Sequence, residues 1–247
     1  MGVNLVSLIK IISLKYILLF TLLNTFFVLH AQEEEELTQV VDSLYREDQL
    51  YLGVSFNLLG EKPSNVIQNR FSGSLQGGFI RDMPINKKRN RAIGLGLGLA
   101  GETFSQNIFI NDTEGSEETT YELITSDISE DINRFVLYSL ELPIEYRWRT
   151  STPTDYSFWR IHAGLKLGYI FSFRSTFEDE NNNVSVIVRD VPELNNFQYG
   201  LTLSFGYGAF NFHGYYGLNT LFNEDAVING ELVNLQVLRL GIQFFFL

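Results

Sequence analysis

Between Ser157 and Arg174 the chain reads SFWRIHAGLKLGYIFSFR, with an apolar residue at nearly every second position. Trp159, Ile161, Ala163, Leu165, Leu167, Tyr169, Phe171 and Phe173 share one parity, while Arg160, His162, Gly164, Lys166, Gly168, Ser172 and Arg174 share the other. Successive side chains of a strand point to opposite faces, so the segment predicts one greasy face and one face carrying cations. Strands of soluble sheets run to about five or six residues. A strand tilted across a bilayer needs about 9–11, facing lipid and lumen in turn. The pattern predicts a transmembrane β-strand.

Seven further segments repeat it: Tyr51–Leu58, Phe71–Asp82, Ala92 to about Ile110, Ile132–Trp148, Asn196–Tyr207, Phe212–Leu221 and Asn234–Leu247. In the third, Ile93, Leu95, Leu97 and Leu99 alternate with Gly94, Gly96, Gly98 and Ala100. Glycine on the inner face leaves space in a narrow lumen for long side chains from other strands. Short connectors around Pro84–Arg91, Arg149–Tyr156 and Gly208–Asn211 alternate with longer loops. That alternation predicts an all-β, eight-stranded antiparallel up-and-down transmembrane β-barrel with three short periplasmic turns and four longer outer loops. Eight strands enclose room for side chains and little more, so a solute pore is not expected.

A Lys or Arg facing lipid at mid-membrane would cost about 2–4 kcal/mol. Glu141, Glu145, Arg147, Arg160, His162, Lys166 and Arg239 all have lumen parity. The fourth and fifth segments are neighbours through a short turn, so Glu141 and Glu145 should lie near Arg160, His162 and Lys166. A structural charge network inside the lumen is the expectation, polar within and apolar without.

The first 31 residues read as a cleaved export signal: Lys10 and Lys15 precede an apolar run from Tyr16, and Ala31 is a plausible cleavage point. Gln32–Asp48 is an acidic periplasmic leader, and 49–247 forms the barrel. Cleavage removes two lysines and no acid, leaving 16 basic against 29 acidic residues, a net charge of −13. A nucleic-acid partner would require a basic face and is excluded. With no cysteine, disulfides, thiolate metal sites and a lipoprotein anchor are excluded as well.

Other motifs carry less. Gly96-Leu97-Gly98-Leu99-Ala100-Gly101 fits dinucleotide-fingerprint spacing, but it lies inside the alternation with no helix to receive a pyrophosphate. His162 and His213 both face the lumen, and no serine–histidine–acid set is expected at the outer rim, so no enzyme and no cofactor are predicted. The loop Asn111–Asp131 holds eight acids and no base. Its spacing matches no calcium loop and reads as solvated. The turn PINKKRNR (Pro84–Arg91) is the opposite, a basic patch able to meet an acidic partner or lipid headgroups.

Specific stretches add a resemblance. REDQLYLGVSFNLL (Arg46–Leu59), GFIRDMPINKKRNRAIGLGLGL (Gly78–Leu99), LELPIEYRWRTSTP (Leu140–Pro153), FWRIHAGLKLGYIF (Phe158–Phe171), FQYGLTLSFGYG (Phe197–Gly208) and YYGLNTLF (Tyr215–Phe222) resemble the PorT family of small outer-membrane barrels of Bacteroidota. The resemblance runs from about Arg46 to Leu247. It implies a non-enzymatic component or assembly factor of the type IX protein secretion system, coupled in some relatives to gliding motility. It implies an integral outer-membrane protein among lipids and lipopolysaccharide, with other secretion proteins as periplasmic partners. The matching residues cluster at two periplasmic turns, which makes Arg81, Asp82, Lys87, Lys88, Arg89 and Arg149 candidate docking residues. The same turns could equally be basic rims facing headgroups. The alternative function is a general structural or adhesive small barrel without a secretion role.

Overall fold

The computed structural model describes residues 48–68, 70–112, 119–124, 132–150, 158–179 and 182–246. The expected export signal (1–31), most of the leader, most of the acidic loop and Ser151-Thr152-Pro153 lie outside the described residues. The described residues form thirteen strands: β1 (Gln49–Gly60), β2 (Gly73–Pro84), β3 (Arg91–Ser105), β4 (Ile108–Asp112), β5 (Thr119–Leu123), β6 (Ile132–Arg149), β7 (Trp159–Asp179), β8 (Val184–Val188), β9 (Phe197–Tyr207), β10 (Phe210–Thr220), β11 (Val227–Ile228), β12 (Glu231–Leu232) and β13 (Gln236–Phe246). Eight of them, β1-β2-β3-β6-β7-β9-β10-β13, pair antiparallel in that order. β13 then pairs back onto β1, from Leu50↔Phe246 to Gly60↔Gln236, and closes the sheet. A closed barrel leaves no unpaired edge within the wall.

Burial follows the predicted parity, inverted relative to a soluble protein. Leu97, Leu165, Leu203 and Leu240 are 46–56% exposed, whereas Arg147, Glu141, Lys166 and Arg239 are 1–3% exposed. Aromatic residues border the apolar band: Trp159 against Tyr207 near the short turns, and Tyr169 against Phe197 near the loops. Glycines of β3 make room as expected. A Cβ on Gly98 would collide with the Tyr51 hydroxyl, and one on Gly94 would meet the Arg147 side chain at 2.6 Å.

Three expectations need correction. First, the third segment does not run to Ile110. β3 stops at Ser105, and β4 turns over the barrel mouth as a hairpin with β5. Buried Gln106 holds that corner by receiving the Ile108 amide and donating to the Ile108 carbonyl, which also accepts from Asn133 Nδ2 at 3.0 Å. Ile108 and Ile110 keep the inward parity of Phe104 through the corner, so alternation alone could not reveal the bend.

Second, β7 does not hold one parity to its end. Tyr138 pairs with Ser172 but Ser139 pairs with Ile170, leaving Phe171 as an extra residue. This bulge turns Phe173 inward and Ser172 and Arg174 outward, the reverse of strict alternation. Third, the lumen is not polar along its whole length: the ion pairs lie towards the short turns. Towards the loops it is filled by Phe104, Phe135, Phe173, Leu221, Phe222 and Leu235, packed beneath β4, β5, β11 and β12. Phe135 stacks between Phe104 at 5.1 Å and Phe173 at 5.8 Å. The longer loops fold inward as a dry cap. Tyr121 of β5 fastens it by donating to Glu193 Oε2 at 3.0 Å. Burial first, then the nearby Glu193 carboxylate, holds that phenol above its ordinary value, so it remains the donor.

Candidate functional site

Below the cap, the lumen charges fall into two clusters. The central one is built from β3, β6, β7 and β13. Glu141 accepts from Lys166 Nζ at 2.9 Å and from Arg239 Nη1 at 2.9 Å, and Arg239 Nη1 also donates to Glu102 at 2.8 Å. Lys166 Nζ donates to Gln76 Oε1 at 2.9 Å, and the Arg239 guanidinium lies 3.9 Å over the Tyr215 ring. Two carboxylates and two cations balance one another here. A cavity of about 20 Å³, the room of a single water, adjoins them.

The second cluster lies at the short-turn end. Asp82 accepts from Arg147 Nη1 at 3.0 Å and from Arg149 Nη1 at 2.7 Å, and Arg147 also reaches Gln49 Oε1. Glu145 lies 3.8 Å from both Arg147 Nε and His162 Nδ1. Arg160 donates to the Gly208 carbonyl in the β9–β10 turn, and its guanidinium stacks 4.2 Å over Phe158. Gly208 takes the left-handed conformation (φ 58°) that this tight turn needs.

The structure therefore brings together Glu141, Lys166 and Arg239 in one group and Glu145, Arg147 and His162 in another, which Arg160 joins over the Phe245 ring that it shares with Arg147. Glu102 and Asp82 join them, although neither was foreseen as a lumen charge. Parity carried the signal for both: Glu102 continues the inward series Gly98–Ala100, and Asp82 the series Ser74–Gln76–Gly78. An unforeseen pair also forms where Ser204 Oγ and His213 Nδ1 meet at 2.8 Å. Both residues are less than 5% exposed, which leaves a substrate no approach and makes the pair a wall-to-wall hydrogen bond.

The proposed docking residues separate. Asp82 and Arg149 are buried inside the barrel at 0% and 1% exposure, so they cannot meet a partner from the surface. Their role is to fix the turn above them. Arg149 Nε donates to the Arg89 carbonyl at 3.1 Å and the Arg149 amide to the Asn90 carbonyl at 3.0 Å. The Asn86 side chain closes the same turn through Asn90 Oδ1 at 2.7 Å and the Arg91 amide at 3.1 Å. Arg81 is exposed on the outer wall, Lys87 and Lys88 project from the turn, and Arg89 is half-buried.

A closed sheet, greasy outside and charged within, is the architecture of an outer-membrane protein. The family model for the outer membrane protein beta-barrel domain matches residues 30–223. The chain belongs to that family. Barrels of this kind place short turns in the periplasm, which puts Pro84–Arg91 and both ends of the barrel wall on that side and the capped mouth outside. Among solved structures, Ail, the attachment invasion locus protein of Yersinia pestis, in complex with the heparin analogue sucrose octasulfate, is 12% identical. That match covers 82% of this chain and 100% of Ail, with a TM-score of 0.38. A triple mutant of Rhodopseudomonas blastica porin is 10% identical over 82% of this chain and 100% of the porin, with a TM-score of 0.21. Likenesses this distant carry no argument about function. A comparison with curated proteins finds no match.

Proposed function

We propose that this outer-membrane barrel is a non-enzymatic component or assembly factor of the type IX protein secretion system, of the PorT kind found in Bacteroidota, delivered by a cleaved export signal. One observation supports this reading above others. The basic turn of Lys87, Lys88 and Arg89 is presented to the periplasm on a rigid base, clamped from beneath by the Asp82–Arg149 pair. A filled lumen leaves function to the rims, and a fixed cluster of cations on an otherwise acidic chain suits an acidic protein surface. The docking residues are accordingly Lys87, Lys88 and Arg89, with Arg81 at the edge.

The test is charge reversal of Lys87, Lys88 and Arg89 to Glu in cells. Export of the secreted cargo should fail while the barrel still assembles and migrates as a folded, heat-modifiable species. Unchanged export would rule the docking surface out. Deletion of the whole chain with every cargo protein still exported would return it to the general structural or adhesive class.

A further inference from the structure

On the outer wall, the apolar band of β6 ends at Val136 and that of β7 at Phe171. The next outward side chains towards the loops are Arg134 on β6 and, past Ser172, Arg174 on β7, both exposed. Val136 pairs with Arg174 and Arg134 with Thr176, so the two arginines are diagonal neighbours, roughly 7–8 Å apart by sheet geometry. Ser175 pairs with Val188, and one step farther along both chains Arg174 stands level with exposed Arg189. Strict alternation would have buried Arg174 in the lumen. The extra residue at Phe171 turns it out to join the others, and re-aiming a side chain is what bulges commonly do.

Among the described residues, none of these three arginines has a carboxylate within 4.0 Å, whereas Arg147, Arg149 and Arg239 in the lumen each have at least one. Among the described residues two acids stand near, Glu178, half-buried one row farther from the bilayer, and Asp190, exposed beside Arg189, against the three cations of the row. In the sequence, Asn111–Asp131 carries eight acids and no base, so the arginines do not belong to a generally basic stretch. Beneath it, Tyr138 and Phe171 form an exposed aromatic strip. Beside it lies an open groove lined by Tyr169, Phe171, Ser172, Arg189, Asp190 and Asn196.

We propose that Arg134, Arg174 and Arg189 bind the phosphate groups of a phosphorylated glycolipid of the outer leaflet, whose acyl chains lie along Tyr138 and Phe171. The row sits where the apolar band gives way to water, the depth of lipid phosphates. Guanidinium groups pair with phosphate through two parallel hydrogen bonds, which lysine cannot do. A soluble phosphorylated ligand would find the cations but no use for the aromatic strip.

The test uses the purified full-length barrel in detergent, with bis-phosphorylated lipid A as the probe and retention read by native mass spectrometry. Each cation near an anionic lipid surface contributes about 1 kcal/mol, or about fivefold in affinity. The Arg134→Gln/Arg174→Gln variant should therefore bind about 25-fold more weakly. Arg91→Gln, exposed at the opposite rim, should bind like the parent. The parent should also discriminate against lipid A stripped of phosphate, a comparison that needs no variant to fold. Equal retention of the stripped lipid, or unchanged binding by the double arginine variant, would overturn the proposal. Displacement by millimolar inorganic phosphate would overturn it too, because it would identify a soluble-anion site.

Discussion

Replacing Glu141 by Gln tests whether the lumen charges hold the barrel together. Glu141 is 2% exposed and receives Lys166 on one oxygen and Arg239 on the other, both at 2.9 Å. Without its charge, Arg239 keeps Glu102, but Lys166 is left with the neutral oxygen of Gln76. Stranding one member of a buried pair costs about 3–5 kcal/mol. The Coulomb energy of two unit charges 4 Å apart at an effective dielectric of 20, about 4 kcal/mol, agrees. Glu141→Gln/Lys166→Met removes both charges and leaves the Arg239–Glu102 pair intact, so it should recover at least half of that loss. Urea unfolding in lipid vesicles, followed by the fluorescence of Trp148 and Trp159, measures each variant. Screening does not reach a pair sealed in the lumen, so the cost should be the same at about 0.05 and 0.5 M salt. A single variant within about 1 kcal/mol of the parent would refute the reasoning, as would a double variant whose loss equals the sum of the two singles.

Gly98→Val should destabilise by about 1–3 kcal/mol by driving out the Tyr51 ring, and Tyr51→Phe, which removes the colliding hydroxyl, should return part of the loss in the same urea assay. Phe135→Ala empties the centre of the dry cap, where Phe135 is fully buried, and should cost about 3–5 kcal/mol by the same measurement. In intact cells, cysteine placed at Arg174 should react with a membrane-impermeant thiol reagent and cysteine at Phe173 should not; the opposite pattern would remove the β7 bulge from the account. Asp82→Asn should loosen the Arg149 clamp and speed tryptic cleavage at Lys87–Arg89, read by mass spectrometry of the fragments.

Much of this barrel is legible in its sequence because a membrane enforces alternation. Where lipid lies outside and side chains fill the inside, a wrong residue on either face is costly, so the pattern of β1, β3, β6 and β13 transfers directly into burial. The central ion cluster is legible for the same reason, since Glu141, Lys166 and Arg239 have nowhere else to point. Above the bilayer the constraint lapses. There the interior is apolar and covered by folded-back loops, so Phe173 can face in and Arg174 out, and Ile108 can continue a parity across a corner. One residue of bulge, Phe171, shifts every later position of β7. Its own apolar character conceals the shift, because a greasy side chain suits either a lipid face or the cap.

The periplasmic turn shows a different limit. RDMPINK and RWRTSTP stand out as specific strings, and specific polar residues in a turn invite a reading as contact surface. Much of that specificity is internal. Asp82 is required by Arg147 and Arg149, Asn86 by the closure of its own turn, and Arg149 by the carbonyl of Arg89. Pro84 ends β2 at the rim, opposite Ala92. What remains to recognise a partner is Lys87 and Lys88, with half-buried Arg89 beside them and Arg81 on the wall. A resemblance carried by these strings is thus largely a resemblance in how a rim is clamped. Relatives could keep the clamp and still differ in what they dock, because partner choice would rest on a few projecting charges that the clamp holds still but does not select.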